Sequence, residues 1–163
     1  VSMNSTIKPF DNLNVRKAVV AASDRKALQL TRGGTAAGDL ATHFLPERSR
    51  SARTSAGSRT STTRRRCLVL DAVFNGKNIL PANHSNWTQL NVPAINAAMG
   101  KAALLPAGPE RNKAWGQIDD MITAQAPGVP FLWDKIPTVE SSDVRGVVNQ
   151  YSTSWDLDFT SLK

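Results

Sequence analysis

The chain of 163 residues has a single cysteine, Cys67, two histidines, His43 and His84, and one tyrosine, Tyr151. A lone cysteine excludes an intramolecular disulfide framework. Two histidines far apart in sequence, with the cysteine between them, give no zinc-type spacing, which takes three or four converging donors. No metal site and no cofactor are therefore expected. No apolar run approaches the ~20 residues needed to span a bilayer. There is no G-x-S-x-G nucleophile elbow. Asn75-Gly76-Lys77 and Gly108-Pro109-Glu110-Arg111-Asn112-Lys113 both fall short of the G-x-x-x-x-G-K-[ST] phosphate cradle and read as turns. Asp119 and Asp120 are neighbours on a helical pattern, so their side chains diverge by about 100° and cannot face each other as acid and base. Together with Lys113 they are expected on a solvated helix face. No catalytic residue emerges, and an enzyme is not expected.

Acid is also missing from one stretch. Between Arg48 and Arg66 lie seven arginines and no aspartate or glutamate, which accounts for the whole net charge of +7. The remainder of the chain carries thirteen basic and thirteen acidic residues. The stretch 47–66, ERSRSARTSAGSRTSTTRRR, has no apolar periodicity and little to bury. Such a segment cannot offset its ordering entropy, so it is expected to be disordered. Its arginines could bind nucleic-acid phosphates through counterion release. The aromatic interleaving that stacks bases is absent, so nucleic acid is not the expected partner.

What the chain does have is amphipathic pattern on either side of that stretch. Asn14 reads as the cap of a helix running to about Leu30, with Val15, Val19, Ala22, Lys26 and Leu30 along one side. Gly33 and Gly34 end it, and residues 35–46 read as a loop. LVLDAVFNGKNI, from Leu68, reads as a short helix or a strand and turn, with Asn75-Gly76 as the turn. Residues 81–92 form a polar loop with one aromatic, Trp87. Pro93 suits the first turn of the next helix, on which Ile95, Met99, Ala102 and Leu105 recur at helical spacing until Pro106. Gly108-Pro109 opens a second helix with Trp115, Ile118, Met121 and Ile122 as its stripe. Val129-Pro130-Phe131-Leu132-Trp133 reads as a strand, followed by short strands at Ile136–Val139 and Val144–Val148 and an edge strand in the tail from Tyr151.

In their order, these motifs resemble a known family. R-N-K-A-W-x-x-I-D-x-x-I (Arg111 to Ile122), A-P-G-V-P-F-L-W (Ala126 to Trp133) and V-x-G-V-V (Val144 to Val148) resemble the C-terminal end of extracellular solute-binding proteins of the peptide/nickel class. These are the capture subunits of ABC importers. Pro9-Phe10-Asp11-Asn12, Val15-Arg16-Lys17-Ala18 and Ser23-Asp24-Arg25 resemble the helix that opens the second half of such proteins.

The resemblance implies an α/β fold that is an incomplete portion of a two-lobed binding protein, with an αα-hairpin packed on short strands. It implies a division into residues 1–46, an Arg/Ser-rich segment 47–67 and an α/β piece 68–163. A frame slip after Pro46, regained near Leu68 to Asp71, would account for the middle segment. The implied function is capture of a peptide or similar solute for ABC permease subunits, outside the cytoplasmic membrane. The start, Val1-Ser2-Met3-Asn4, shows no export signal, so the chain as it stands is expected in the cytoplasm. The acidic residue that meets the ligand's amino group in the family should precede Leu70, where this chain has Thr62 to Cys67. Ligand binding is accordingly expected to be impaired. Asn86 and Trp87 lie where relatives border the cleft and are the candidate ligand contacts. The alternatives left open are a truncated, non-functional product and an Arg-rich nucleic-acid binder.

Overall fold

The computed structural model describes residues 1–46, 69–135, 141–146 and 160–162. The Arg/Ser-rich stretch, Cys67, the strand expected at Ile136–Val139 and most of the tail lie outside the described residues.

The predicted N-terminal helix is two helices, α1 (Leu13–Ala22) and α2 (Arg25–Thr31). Asn12, not Asn14, caps α1, its side chain accepting from Asn14 N. The break falls at Ser23-Asp24. Asp24 takes an extended backbone and accepts from the N–H groups of Lys26 and Ala27, which starts a new helix. The expected apolar side does not become the buried side, and Leu30 is exposed. The residues that anchor these helices are polar. Arg16 is buried and donates to the carbonyls of Phe10, Asp11 and Gln125. Gln29 is buried and donates to Gly38 O.

After α2, Gly33 turns the chain at φ +117°, a conformation that favours glycine. The stretch read as loop then contains a strand. β1 (Gly38–Leu40) pairs antiparallel with β2 (Leu132–Asp134), in the register Gly38 with Asp134 and Leu40 with Leu132. The predicted strand from Val129 thus begins three residues late. Pro130 has no N–H for the ladder. The residues before it serve another partner: Val129 N donates to Val1 O, Met3 N donates to Pro127 O, and Ser2 bridges Gly128. The short strands β3 (Val144–Arg145) and β4 (Ser161–Leu162) also pair antiparallel.

The helical hairpin matches its sequence signals closely. α3 (Pro93–Leu104) has its proline in the first turn, and α4 (Pro109–Ala124) follows Gly108. Ile95, Met99 and Ala102 of α3 and Trp115, Ile118 and Ile122 of α4 form one core with Leu45, Leu70, Phe74 and Leu90. Leu70 and Phe74 come from helical residues 69–74. The Phe44 and Phe74 rings meet with centroids 4.7 Å apart. Each large side chain of this cluster contributes roughly 1.5–3 kcal/mol by burial.

Two expectations on α4 are corrected. Met121 lies at the edge of the stripe, 36% exposed, because it projects about 100° away from Ile122 and past the core. Asp119 is not solvated: it is fully buried, and its carboxylate accepts from Phe44 N at 3.2 Å and Leu45 N at 3.3 Å. Those amides belong to a segment without regular structure and need acceptors once buried. A carboxylate supplies both. Asp120 stays at the surface, 3.4 Å from His43 Nε2.

Candidate functional site

The loop from Pro81 to Val92 carries both candidate ligand residues, and the structure buries one and exposes the other. Asn86 is fully buried. Its Nδ2 donates to the carbonyls of Asn75 and Leu90 at 3.2 and 3.0 Å. Its Oδ1 accepts from Thr88 Oγ1 at 3.1 Å and Leu90 N at 3.2 Å. Two donors and two acceptor positions are thereby filled. The Asn86 amide holds the shape of the loop. Trp87, the next residue, is 67% exposed.

The loop is also tied to the start of the chain. Ser5 N and Ser5 Oγ both donate to Thr88 O, at 2.8 and 2.9 Å. Asn83 and Gln89 take positive φ of 56° and 53°, so the backbone on each side of Asn86 is sharply turned. The polar composition that marks this stretch as loop thus supplies the groups that make it rigid.

Beside the loop lies a cavity of about 510 Å³. Met99, Gly100 and Ala103 of α3, with Trp115 of α4, form its apolar wall. Asp71, Lys77, His84 and Ser85 bring polar groups to it from the helical residues 69–74, the 3-10 turn Gly76–Asn78 and the loop. Lys77 Nζ stands 3.6 Å from Asp71 Oδ1. That oxygen also accepts from Asn75 Nδ2 at 2.7 Å, so Asp71 is held while the more exposed ammonium has room to swing. Sequence reasoning passed over these cavity residues. Asn75-Gly76-Lys77 was legible as a turn, but which wall it would join was not.

Trp133 is half-buried and donates from Nε1 to His43 O at 3.0 Å, so it fastens β2 to the 42–45 segment. Among the described residues no three His, Cys, Asp or Glu side chains converge on a point that could hold a metal ion. None of their helices is long and apolar enough to cross a membrane.

No family model matches the chain, and no curated protein does. Solved structures do. The fold is similar to that of clavulanic acid biosynthesis oligopeptide binding protein 2, with a TM-score of 0.82 at 17% identity over 99% of this chain. It is also similar to HbpA2 from Haemophilus parasuis, with a TM-score of 0.68 at 16% identity, again over 99% of this chain. The chain spans only 45% and 47% of the length of those two proteins. The fold is thus a portion of the larger fold of an oligopeptide-binding protein, as the resemblance in sequence implied.

Proposed function

We propose that this chain is a portion of the solute-binding subunit of an ABC-type importer, and that the solute is a peptide or a similar small molecule. The observation that carries the reading is the superposition of nearly the whole chain on an oligopeptide binding protein with a TM-score of 0.82. The motif order from Arg111 to Trp133 also supports it. On this reading the activity is capture and delivery rather than catalysis. The receptor works outside the cytoplasmic membrane, and its partners are permease subunits in that membrane. Trp87 is the ligand-facing member of the candidate pair, since an exposed indole offers a stacking face. Asn86 acts by holding the loop that presents it.

We further propose that capture by this chain alone is weaker than by a complete receptor. A cleft between two lobes draws contacts from both, and this chain spans less than half of the neighbouring fold. The test is thermal unfolding of the purified chain with a panel of di- to pentapeptides. A ligand that binds only the folded form raises the melting temperature in proportion to the logarithm of its concentration. A reproducible rise that weakens in Trp87→Ala supports the reading. A flat response to every peptide at millimolar concentration overturns binding by this chain.

A further inference from the structure

Asn75-Gly76 is the one Asn-Gly dipeptide in the chain. Such a dipeptide can react with itself. The backbone nitrogen of the glycine attacks the side-chain carbonyl carbon of the asparagine, the bond from that carbon to the amide nitrogen breaks, and ammonia leaves. Water then opens the cyclic imide at one carbonyl or the other, which leaves aspartate or isoaspartate. Asparagine is a thermolabile residue for this reason, and a glycine after it offers no Cβ to obstruct the approach.

The fold requires both residues and restrains both. Asn75 caps the 3-10 turn Gly76–Asn78, with Oδ1 accepting from Lys77 N at 3.1 Å. Gly76 is not at positive φ; it is needed for close approach. A Cβ there would run into Asn91 Oδ1 and lie 2.8 Å from Asn96 Nδ2. Asn75 is buried, so water is kept from its side chain. Its Nδ2, the leaving group, donates to Asp71 Oδ1 at 2.7 Å. Its own N–H donates to Asp71 O, and its carbonyl accepts from Asn78 N and Asn86 Nδ2. The attacking group is held too. Gly76 N donates to Asn96 Oδ1 at 2.9 Å, and Asn96 Nδ2 donates in turn to Asn91 Oδ1 at 2.8 Å.

We infer that Asn75 is a modification site that the fold keeps closed: inert in the folded chain, open to cyclisation and water in the unfolded one, and unable to fold back once converted. An aspartate at this position has no Nδ2 to donate. It sets a second carboxylate against Asp71 Oδ1 where the donor stood at 2.7 Å, and like charges so close cannot both stay ionised without cost. Lys77 is the one cation paired with Asp71, 3.6 Å away and mostly exposed, so it cannot neutralise both. Isoaspartate lengthens the main chain by one carbon and carries Gly76 N away from Asn96. Chemical change of the unfolded chain turns reversible unfolding into loss. The dipeptide thus marks chains that stay unfolded, independently of any ligand.

The test ages the purified chain in mildly alkaline buffer, folded and in guanidinium chloride, and follows conversion at Asn75 by mass spectrometry of the peptide that contains it. Conversion is expected to be at least tenfold faster in the unfolded chain. After the denaturant is removed, converted chains are expected to be at least tenfold enriched in the fraction that fails to refold. Asn75→Asp, the product made genetically, is expected to melt well below the parent. Asp71→Asn combined with Asn75→Asp restores one amide against one carboxylate and is expected to recover part of the loss. Equal conversion in the folded and unfolded chains overturns the inference. So do converted chains shared evenly between the two fractions, an Asn75→Asp variant that melts with the parent, or a double variant that recovers nothing.

Discussion

Arg16 donates from Nε to the backbone carbonyl of Gln125 at 3.0 Å, across 109 residues of sequence. Gln125 is the C-cap of α4, where unsatisfied carbonyls give the helix end a partial negative charge. Arg16 Nη1 reaches Phe10 O at 2.7 Å in the same arrangement. One guanidinium therefore joins α1, the chain before it and the end of the hairpin. A lysine has no planar fork and cannot span these acceptors. Arg16→Lys is expected to lower stability by about 1–3 kcal/mol, and Arg16→Leu by more. Urea unfolding midpoints would check this, with the slope unchanged if the native fold persists.

The adjacent aspartates of α4 should behave oppositely. Asp119→Ala strips the acceptor from the buried amides of Phe44 and Leu45 and is expected to cost on the order of 2–3 kcal/mol. Asp120→Ala removes a surface partner of His43 and is expected to stay within about 0.5 kcal/mol of the parent. Thermal denaturation of the two variants side by side separates them. Equal losses would mean that the Asp119 contacts contribute nothing special.

Asn86 and Trp87 make a second opposed pair. Asn86→Ala leaves the Leu90 carbonyl and amide and the Thr88 hydroxyl without this partner, while Asn75 O keeps Asn78 N, and is expected to cost roughly 3 kcal/mol. Trp87→Ala is expected to leave stability within about 0.5 kcal/mol while reducing peptide-induced stabilisation. A loss of stability in Trp87→Ala would argue that the indole packs on the chain rather than serving a ligand.

Two glycines are expected to respond in opposite directions to the same change. A Cβ at Gly38 would run into the Trp133 carbonyl oxygen and lie 2.8 Å from Leu132 Cγ. Gly38→Ala should therefore push β1 from β2, at a cost of about 1–3 kcal/mol. Gly100→Ala meets nothing and should gain up to about 1 kcal/mol from helix propensity. Melting temperatures of the two variants check the contrast directly.

The hairpin was legible from sequence because its signals are local. Pro93, Pro106 and Gly108-Pro109 mark the helix ends, and the 3.6-residue period picks out Ile95, Met99, Trp115, Ile118 and Ile122. What escaped depends on distant partners. Asp119 looks solvated until the amides of Phe44 and Leu45, 75 and 74 residues away, are placed beside it. Arg16 and Gln29 look like surface residues until their carbonyl acceptors arrive. The break at Asp24 was written locally, as a capping residue, but the alanine and valine run from Ala18 to Ala22 before it, and the helix-forming Lys26-Ala27-Leu28 after it, concealed it. The cavity was least legible of all. Its walls come from five separate segments, and its clearest local sign was a glycine inside a helix.

The pairing of Val1 to Met3 with Pro127 to Val129, together with Leu45 seated among Leu70, Phe74 and Ile118, makes the two sides of the arginine tract mutually dependent. A protease cut between residues 46 and 69 would nick this protein without dismantling it. The two products should elute together from a sizing column and part only in denaturant. Expressed as separate polypeptides, they should find each other and rebuild the same interior, each serving as the other's template.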